Sequence, residues 1–270
     1  MRLWTLLKSG LVLDIYFFKN NRAQLVSMFA WPYILLALML GMGFLFGSAE
    51  TFKSNVGVEA DPVVFFVAST LIAMASLSVM WEVGGTVLYH RWIGTLPYVL
   101  IAPYRTSITL VMSYIPRYLL WSFMQLAEFV PVLIWREGLV GGLADTLMMG
   151  LAIVIGMLPL LGFAAIFGSF LLTIKEETNV LSWLNPIILI LSGAFYPAYL
   201  FPIWARFLSM LLPTTYTFEL ARLSSLIGAP KLAEMTFLIA VLLGMSFLYN
   251  ALSFTLMGKA ERRALKSGAV

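Results

Sequence analysis

Cysteine is absent from this chain, histidine occurs once, and charged residues make up only 11% of it. The absence of cysteine excludes disulfide bonds and thiolate metal sites. Charged residues account for about 25% of an ordinary soluble domain, so water is not the main solvent of this protein's surface. Hydrophobic residues reach 61%, which indicates an integral membrane protein.

Familiar catalytic motifs are also missing. The chain has no G-x-x-x-x-G-K-[ST] phosphate loop, because Gly258-Lys259 lacks both the upstream glycine and the hydroxyl residue. Neither H-E-x-x-H nor G-x-S-x-G accompanies the single histidine, His90. The sequence therefore predicts a protein that is not an enzyme and that does not bind ATP by this route.

Long apolar runs predict the fold. A helix crosses a bilayer with about 20 mostly apolar residues, because the hydrocarbon core is about 30 Å thick and each residue rises about 1.5 Å. Six runs meet this condition and predict an all-α integral membrane protein with six transmembrane helices. They are Gln24–Phe46, Pro62–Trp81, Ile108–Ile134, Leu143–Ile174, Val180–Leu200 and Glu234–Met257. Pro116 predicts a later start for the third span, leaving Pro103–Ile115 as a cytoplasmic or interfacial helix.

Basic residues are distributed unequally between the two sides of these spans. With the N-terminus inside, eleven fall in the inner segments 1–23, 88–107, 175–178 and 259–270. Five fall in the outer segments 48–61, 135–142 and 201–232, which have nearly the same total length. The positive-inside rule then predicts a multi-pass protein of the plasma or inner membrane with both termini in the cytosol.

Further helices are predicted in two segments outside the spans, residues 1–23 and residues 201–232. Within residues 1–23, apolar side chains recur at helical spacing between charges, which predicts a helix in the plane of the headgroups. The alternative is that residues 1–23 form a flexible N-terminal segment without regular structure. The apolar, proline-punctuated connection 201–232 predicts one or two short helices that dip into the outer leaflet as a re-entrant hairpin. Neither a repeat nor a linker divides the chain, so residues 1–270 are predicted to form one domain.

Ionisable residues inside a membrane are costly, which makes them functional candidates. Glu82 is either solvated at the inner end of the second span or has a role within the membrane. Arg117 is expected to snorkel to the inner surface. Glu128 must be neutral, hydrated or paired with another helix. Glu219 and Arg222, at i, i+3 spacing, either form an ion pair or line a solvated face.

Particular strings resemble those of ABC-2 type transporter permeases. His90-Arg91-Trp92-Ile93-Gly94-Thr95-Leu96, followed by Ala102-Pro103, is similar to the R-x-x-G-T-L…P stretch between their second and third spans. Residues 192–197, 201–204 and 212–222 are similar to their fifth span, outer hairpin and P-x-x-Y-x-x-E-x-x-R ending. The resemblance covers essentially the whole chain, and it departs from the family where acidic residues are common, at His90 and Pro97.

The resemblance implies the permease subunit of an ATP-driven exporter. It implies coupling to a separate ATPase through the cytosolic segment 88–107, with His90, Arg91, Gly94, Thr95, Leu96 and Pro103. For the pathway and hairpin it implies Tyr196, Pro197, Trp204, Pro213, Tyr216, Glu219 and Arg222. It further implies a homodimer with two ATPase subunits, which hold ATP and magnesium, while this chain holds no cofactor and binds no nucleic acid. An ordinary interfacial loop with aromatic anchors is the alternative for 88–107.

Cargo is indicated only by composition. Aromatic residues make up 14% of the chain. Their rings can stack on sugars, make hydrophobic contacts with a drug or lipid, or form the usual aromatic belts at the membrane–water interface. With few charges along the expected pathway, we expect a hydrophobic or amphipathic cargo, drug-like or lipid. Polysaccharide or glycolipid export is the alternative within the family. A proton-coupled carrier, weakened by a single candidate carboxylate and the lack of a repeat, and a membrane enzyme or scaffold are the alternatives outside it.

Overall fold

The computed structural model describes residues 3–45, 51, 54, 61–101, 105–173, 180–226 and 232–267, and the regular elements of these residues are helices. They are α1 (Leu3–Asn20), α2 (Arg22–Leu45), α3 (Pro62–Val79), a π-helical turn (Met80–Gly84), α4 (Gly85–Trp92), α5 (Leu96–Leu100), α6 (Thr106–Thr173), α7 (Val180–Leu191), a 3-10 turn (Ala198–Leu200), α8 (Ile203–Met210), α9 (Pro213–Arg222), a second 3-10 turn (Leu223–Ser225) and α10 (Leu232–Ser267). The prediction of an all-α protein is confirmed for this part of the chain.

Three helical stretches in the described residues are long and apolar enough to cross a membrane. They are Pro62–Trp92, Val111–Thr173 and Leu232–Lys266. The first is the centre of the structure, with Phe66, Val67 and Leu71 almost fully buried. The third is peripheral, and Phe247 on its outer face is 81% exposed. An apolar ring in that state indicates a lipid-facing or partner-facing surface.

α6 is two helices joined at one glycine. Gly138 adopts φ 74° and ψ 175°, outside the helical region, and separates a first arm (106–137) from a second arm (139–173). The arms fold back on each other, since a Cβ on Gly142 would lie 2.6 Å from the Ile134 amide nitrogen. Further from the turn, the Tyr118 hydroxyl donates to the Ile153 carbonyl at 3.2 Å. The expected outer segment 135–142 is therefore a helical hairpin that turns at Gly138.

α10 packs along the second arm of α6. Asn250 Nδ2 donates to the Leu158 carbonyl at 2.9 Å, and two to three turns further along both helices Gly168 contacts Met257. Because the contacts advance in the same direction along both helices, the helices run parallel. The end of α10 therefore lies beside the end of the second arm.

Contacts group the segments at the two ends of the bundle. At one end, Gly10 of α1 lies against Ser113 of the first arm, and the Thr106 amide donates to Glu261 Oε1 at 2.8 Å. α1, the start of α6 and the last turns of α10 are therefore neighbours. At the opposite end, the Asp61 amide donates to the Ser225 carbonyl at 2.9 Å.

Two predicted boundaries change. α7 is a 12-residue helix that ends at Leu191, although the predicted span continued to Leu200. The cause is Gly193 at φ 81°, after which the Ala194 amide closes the helix end on the Leu189 carbonyl at 3.2 Å. Pro116 begins no helix, since α6 starts at Thr106 and continues through it.

The segment 201–232 contains the predicted short helices, α8 and α9. Their depth in a bilayer stays a prediction. Most of the outer segment 48–61 and all of 175–178 lie outside the described residues.

Candidate functional site

The R-x-x-G-T-L string folds as a tight helix–turn–helix. α4 ends at Trp92, and Gly94 follows with φ 73°, a left-handed conformation that glycine adopts at little cost. The Gly94 amide donates to the Arg91 carbonyl at 3.1 Å, and the Thr95 amide donates to the His90 carbonyl at 2.8 Å. This turn is the helix ending that a glycine favours, so the backbone itself requires Gly94.

Side chains of the same string hold the turn against α6. His90 Nδ1 lies 2.8 Å from Thr95 Oγ1 across the turn. Arg91 Nη2 donates to the carbonyls of Leu171 and Leu172, at 3.2 and 3.1 Å. Arg91 therefore joins α4 to the second arm of α6.

The opposite face of this helix–turn–helix is apolar and open. Leu96 points inward and is 2% exposed, whereas Trp92 is 77% exposed and Tyr98 and Ile101 are each 71% exposed. Large aromatic side chains in that state indicate a surface that contacts a partner or a membrane interface. Pro103, the remaining predicted coupling residue, lies outside the described residues.

An ion pair joins the π-helical turn to the first arm of α6. Arg117 Nη1 lies 2.6 Å from Glu82 Oε2, and the two side chains are 29% and 40% exposed. Glu82 belongs to the π-helical turn Met80–Gly84, a feature that occurs frequently at functional sites. Glu82 is therefore paired as well as partly solvated, and Arg117 is held between two helices rather than only snorkelling outward.

Arg222 is the most enclosed cation among the described residues, at 6% exposure. Its Nε donates to Ser69 Oγ at 2.9 Å, its Nη2 donates to the Ala194 carbonyl at 2.5 Å, and its guanidinium stacks 4.2 Å from the centre of the Phe65 ring. It forms no ion pair with Glu219, and it is not solvated. Both expectations for Arg222 are therefore wrong, because α3 and the turn after α7 supply nearer partners than its own helix does.

The other predicted hairpin residues lie on α8 and α9 or just before α8. Pro197 and Pro213 are buried, Tyr196, Tyr216 and Glu219 are half-buried, and Trp204 is 68% exposed. From Ser69, beside Arg222, to Arg91 the chain advances 22 residues along nearly continuous helix, which is about 33 Å. The predicted hairpin residues and the predicted coupling residues therefore lie at opposite ends of the bundle.

Glu128 stands apart from both sites. Its two carboxylate oxygens are shielded from solvent and have no hydrogen-bond partner among the described residues. The Tyr33 hydroxyl of α2 donates to the Glu128 backbone carbonyl at 2.7 Å and not to the carboxylate. Of the predicted states, pairing with another helix is thus not found in this part of the chain. Burial without a partner favours the neutral, protonated form.

A polar site at the Asp61 end of the bundle was not predicted from the sequence. Asp61 Oδ1 accepts hydrogen bonds from the amides of Val63 and Val64, at 2.9 and 3.1 Å, which caps α3. Its Oδ2 accepts from Arg136 Nε at 2.7 Å. The signal was available locally, since an aspartate before a proline at the start of an apolar run is typical of a helix N-terminus. The bond to Arg136 was not available, because it joins residues far apart in the sequence.

Comparison with known proteins adds no identity. The chain matches no protein-family profile, and no curated protein is significantly similar to it. Among the described ranges, no group of three or more histidine, cysteine, aspartate or glutamate side chains is placed to hold a metal ion. The resemblance to ABC-2 permeases therefore depends on the sequence motifs alone.

Proposed function

We propose that this chain is the transmembrane permease subunit of an ATP-driven exporter of the ABC-2 type. The observation that carries the proposal is the helix–turn–helix of residues 85–100, whose motif side chains bind it to α6 while Trp92 and Tyr98 stay exposed. A segment that is joined firmly to the bundle and open on its far side suits the transmission of movement from another subunit. ATP and magnesium then belong to that subunit, and this chain needs no phosphate loop.

The proposed topology has six spans, with both termini in the cytosol of a cell-membrane protein. The two arms of α6, each longer than 20 residues, serve as the third and fourth spans. α1, the turn after α4 and the end of α10 form the cytosolic side, which is also the side richer in lysine and arginine. α8 and α9 form the outer re-entrant hairpin.

The proposed assembly is a homodimer with two ATPase subunits, and the pathway lies between protomers along α2, α3 and α7. Large apolar side chains are exposed on α2 and α7, including Trp31 at 53% and Trp183 at 78%, whereas α3 is mostly buried within the protomer. Such a lining favours a hydrophobic or amphipathic cargo, drug-like or lipid. Exposed aromatic rings also stack on sugars, so a polysaccharide or glycolipid is the second candidate cargo.

A double variant of the open face tests the proposal. Trp92→Ala with Tyr98→Ala is expected to lower ATP-dependent transport at least tenfold in proteoliposomes that contain the ATPase encoded beside this chain. The ATPase is also expected to be lost on copurification, because buried aromatic residues commonly dominate binding energy at interfaces. Since both side chains are exposed, their removal should leave the fold intact.

Trp135→Ala is the matched control, because Trp135 is 80% exposed at the opposite end of the bundle. It is expected to copurify the ATPase and to transport like the parent protein. Equal transport and equal ATPase recovery in the double variant and the control would contradict the docking surface. Transport that needs no ATPase at all would contradict the permease.

Glu128 separates this proposal from a proton-coupled carrier. If the buried carboxyl is neutral, Glu128→Gln replaces it with a neutral group of the same shape and is expected to keep ATP-dependent transport within about twofold. The measurement is cargo uptake with ATP and with an imposed pH gradient, applied separately. Uptake that follows the gradient, ignores ATP and stops in Glu128→Gln would identify a carrier instead.

A further inference from the structure

A groove of about 420 Å³ opens between the second arm of α6 and α10, where both helices approach the end of the bundle that holds α1. Its walls include Ser169, Phe170 and Thr173 from the arm, and Leu256, Lys259 and Arg263 from α10. None of the predicted coupling, hairpin or pathway residues contributes to it. It is therefore distinct from the sites described above.

Two cations line the groove on one side. Lys259 and Arg263 are four residues apart on α10, so their side chains share a face of that helix. Both are exposed, and neither forms an ion pair with a carboxylate in the residues that the structure describes. The nearby carboxylate of Glu261 instead accepts a hydrogen bond from the Thr106 amide. Among the residues that the structure describes, the two cations of the groove therefore have no carboxylate partner.

The groove changes from apolar to polar along its length. The two helices run parallel, so Ile166 and Leu256 lie at its deep end, while Thr173 and Arg263 lie at its mouth. Phe170 stands between them and is 55% exposed. A ligand that fits this gradient has an apolar tail directed along the helices and an anionic head at the helix ends.

The two hydroxyl groups of the groove are already donors. Ser169 Oγ donates to the Ile166 carbonyl at 2.6 Å, and Thr173 Oγ1 donates to the Phe170 carbonyl at 2.7 Å. Each oxygen can still accept a hydrogen bond, so it suits a hydroxyl of a headgroup rather than a phosphate oxygen. The phosphate is left to Lys259 and Arg263.

We propose that this groove binds one anionic phospholipid of the cytosolic leaflet. The phosphate lies between Lys259 and Arg263, the headgroup hydroxyls donate to Ser169 and Thr173, and an acyl chain follows Phe170 and Leu256. Basic pockets between transmembrane helices on the cytosolic side are suited to such headgroups. The site rests on the proposed membrane topology but not on ATP or on any cargo.

Native mass spectrometry of the purified full chain tests the site. The protein is exchanged into phosphatidylglycerol and, separately, into phosphatidylcholine of the same acyl composition, and the retained lipid is measured. The parent chain is expected to keep phosphatidylglycerol preferentially. Lys259→Gln with Arg263→Gln is expected to weaken this retention about 30-fold, since each cation near a membrane surface contributes a factor of about five.

Lys19→Gln with Arg262→Gln removes the same charge outside the groove, and it is expected to keep retention within about twofold. Soluble glycerol phosphate, lacking an acyl chain, is expected not to compete. Equal weakening in both double variants, equal retention of the two lipids, or competition by glycerol phosphate would each overturn the lipid site. Because no outcome depends on ATP or cargo, loss of the lipid site is distinguishable from loss of the exporter.

Glu176 and Glu177 follow Thr173 closely in the sequence, so a charge test includes them. Glu176→Gln with Glu177→Gln is expected to leave phosphatidylglycerol retention unchanged or stronger. If this variant loses the lipid as fully as Lys259→Gln with Arg263→Gln does, the cations serve an internal ion pair and the proposal is wrong.

Discussion

Replacement of Gly162 by leucine is expected to destabilise the protein by about 3 kcal/mol, because α10 and the second arm of α6 touch there through their backbones. A Cβ on Gly162 would lie 2.7 Å from the Asn250 amide nitrogen and 2.8 Å from the Tyr249 carbonyl carbon. Backbone atoms cannot rotate aside as a side chain can. The helices must therefore separate, and the bond from Asn250 Nδ2 to the Leu158 carbonyl breaks with them.

Thermal unfolding in detergent measures this effect. A loss of about 3 kcal/mol corresponds to a fall of roughly 6–12 °C in the midpoint for a chain of this size. Gly244→Leu on α10 is the control, since a Cβ there would meet nothing within 4 Å. Gly162→Ala should fall between the two. Equal midpoints for Gly162→Leu and Gly244→Leu would show that the close approach is absent.

Features determined by near neighbours in the sequence were predictable. The turn at Gly94 requires a positive φ at that glycine and hydrogen bonds among residues 90–95. All of these residues belong to the motif at residues 90–96. The helices themselves followed from apolar runs, because burial or lipid contact of a whole helix surface requires continuous apolar sequence. The short helices α8 and α9 followed in the same way from prolines at their starts.

Helix boundaries inside apolar sequence were less predictable. Glycines occur at 138, 141 and 142, and only the first adopts a left-handed conformation, since the two arms need Gly142 for their close approach. Choosing among them requires knowing where the arms pack. The end of α7 at Leu191 has the same origin, because Gly193 sits within a run that hydropathy alone extends to Leu200.

Long-range polar contacts were not predictable from spacing. The i, i+3 rule gave Glu219 as one of two alternatives for Arg222, beside a solvated face, yet the guanidinium bonds to Ser69, 153 residues away, and to Ala194, 28 residues away. Helical spacing describes only the helix on which a residue lies. When a charged residue is buried, the neighbouring helices determine its partners, and a single sequence does not show which helices those are.

The largest electrostatic effect is expected at the Glu82–Arg117 pair. Arg117→Glu places a second carboxylate beside Glu82 in a half-buried position, and Glu82→Arg places two guanidinium groups there. Each single reversal is expected to cost on the order of 3 kcal/mol, because like charges repel where solvent screens them only partly. The swapped variant, Glu82→Arg with Arg117→Glu, restores opposite charges across the same 2.6 Å contact.

A double-mutant cycle separates this pair from general damage to the helices. The unfolding midpoints of the parent, both single reversals and the swap are compared, and the swap is expected to recover more than half of the summed loss. A neutral variant, Glu82→Gln, is expected to cost less than either reversal, because it removes attraction without adding repulsion. If the losses of the two reversals simply add in the swap, the two side chains do not interact, and the π-helical turn at residues 80–84 is not held to the first arm of α6 by charge.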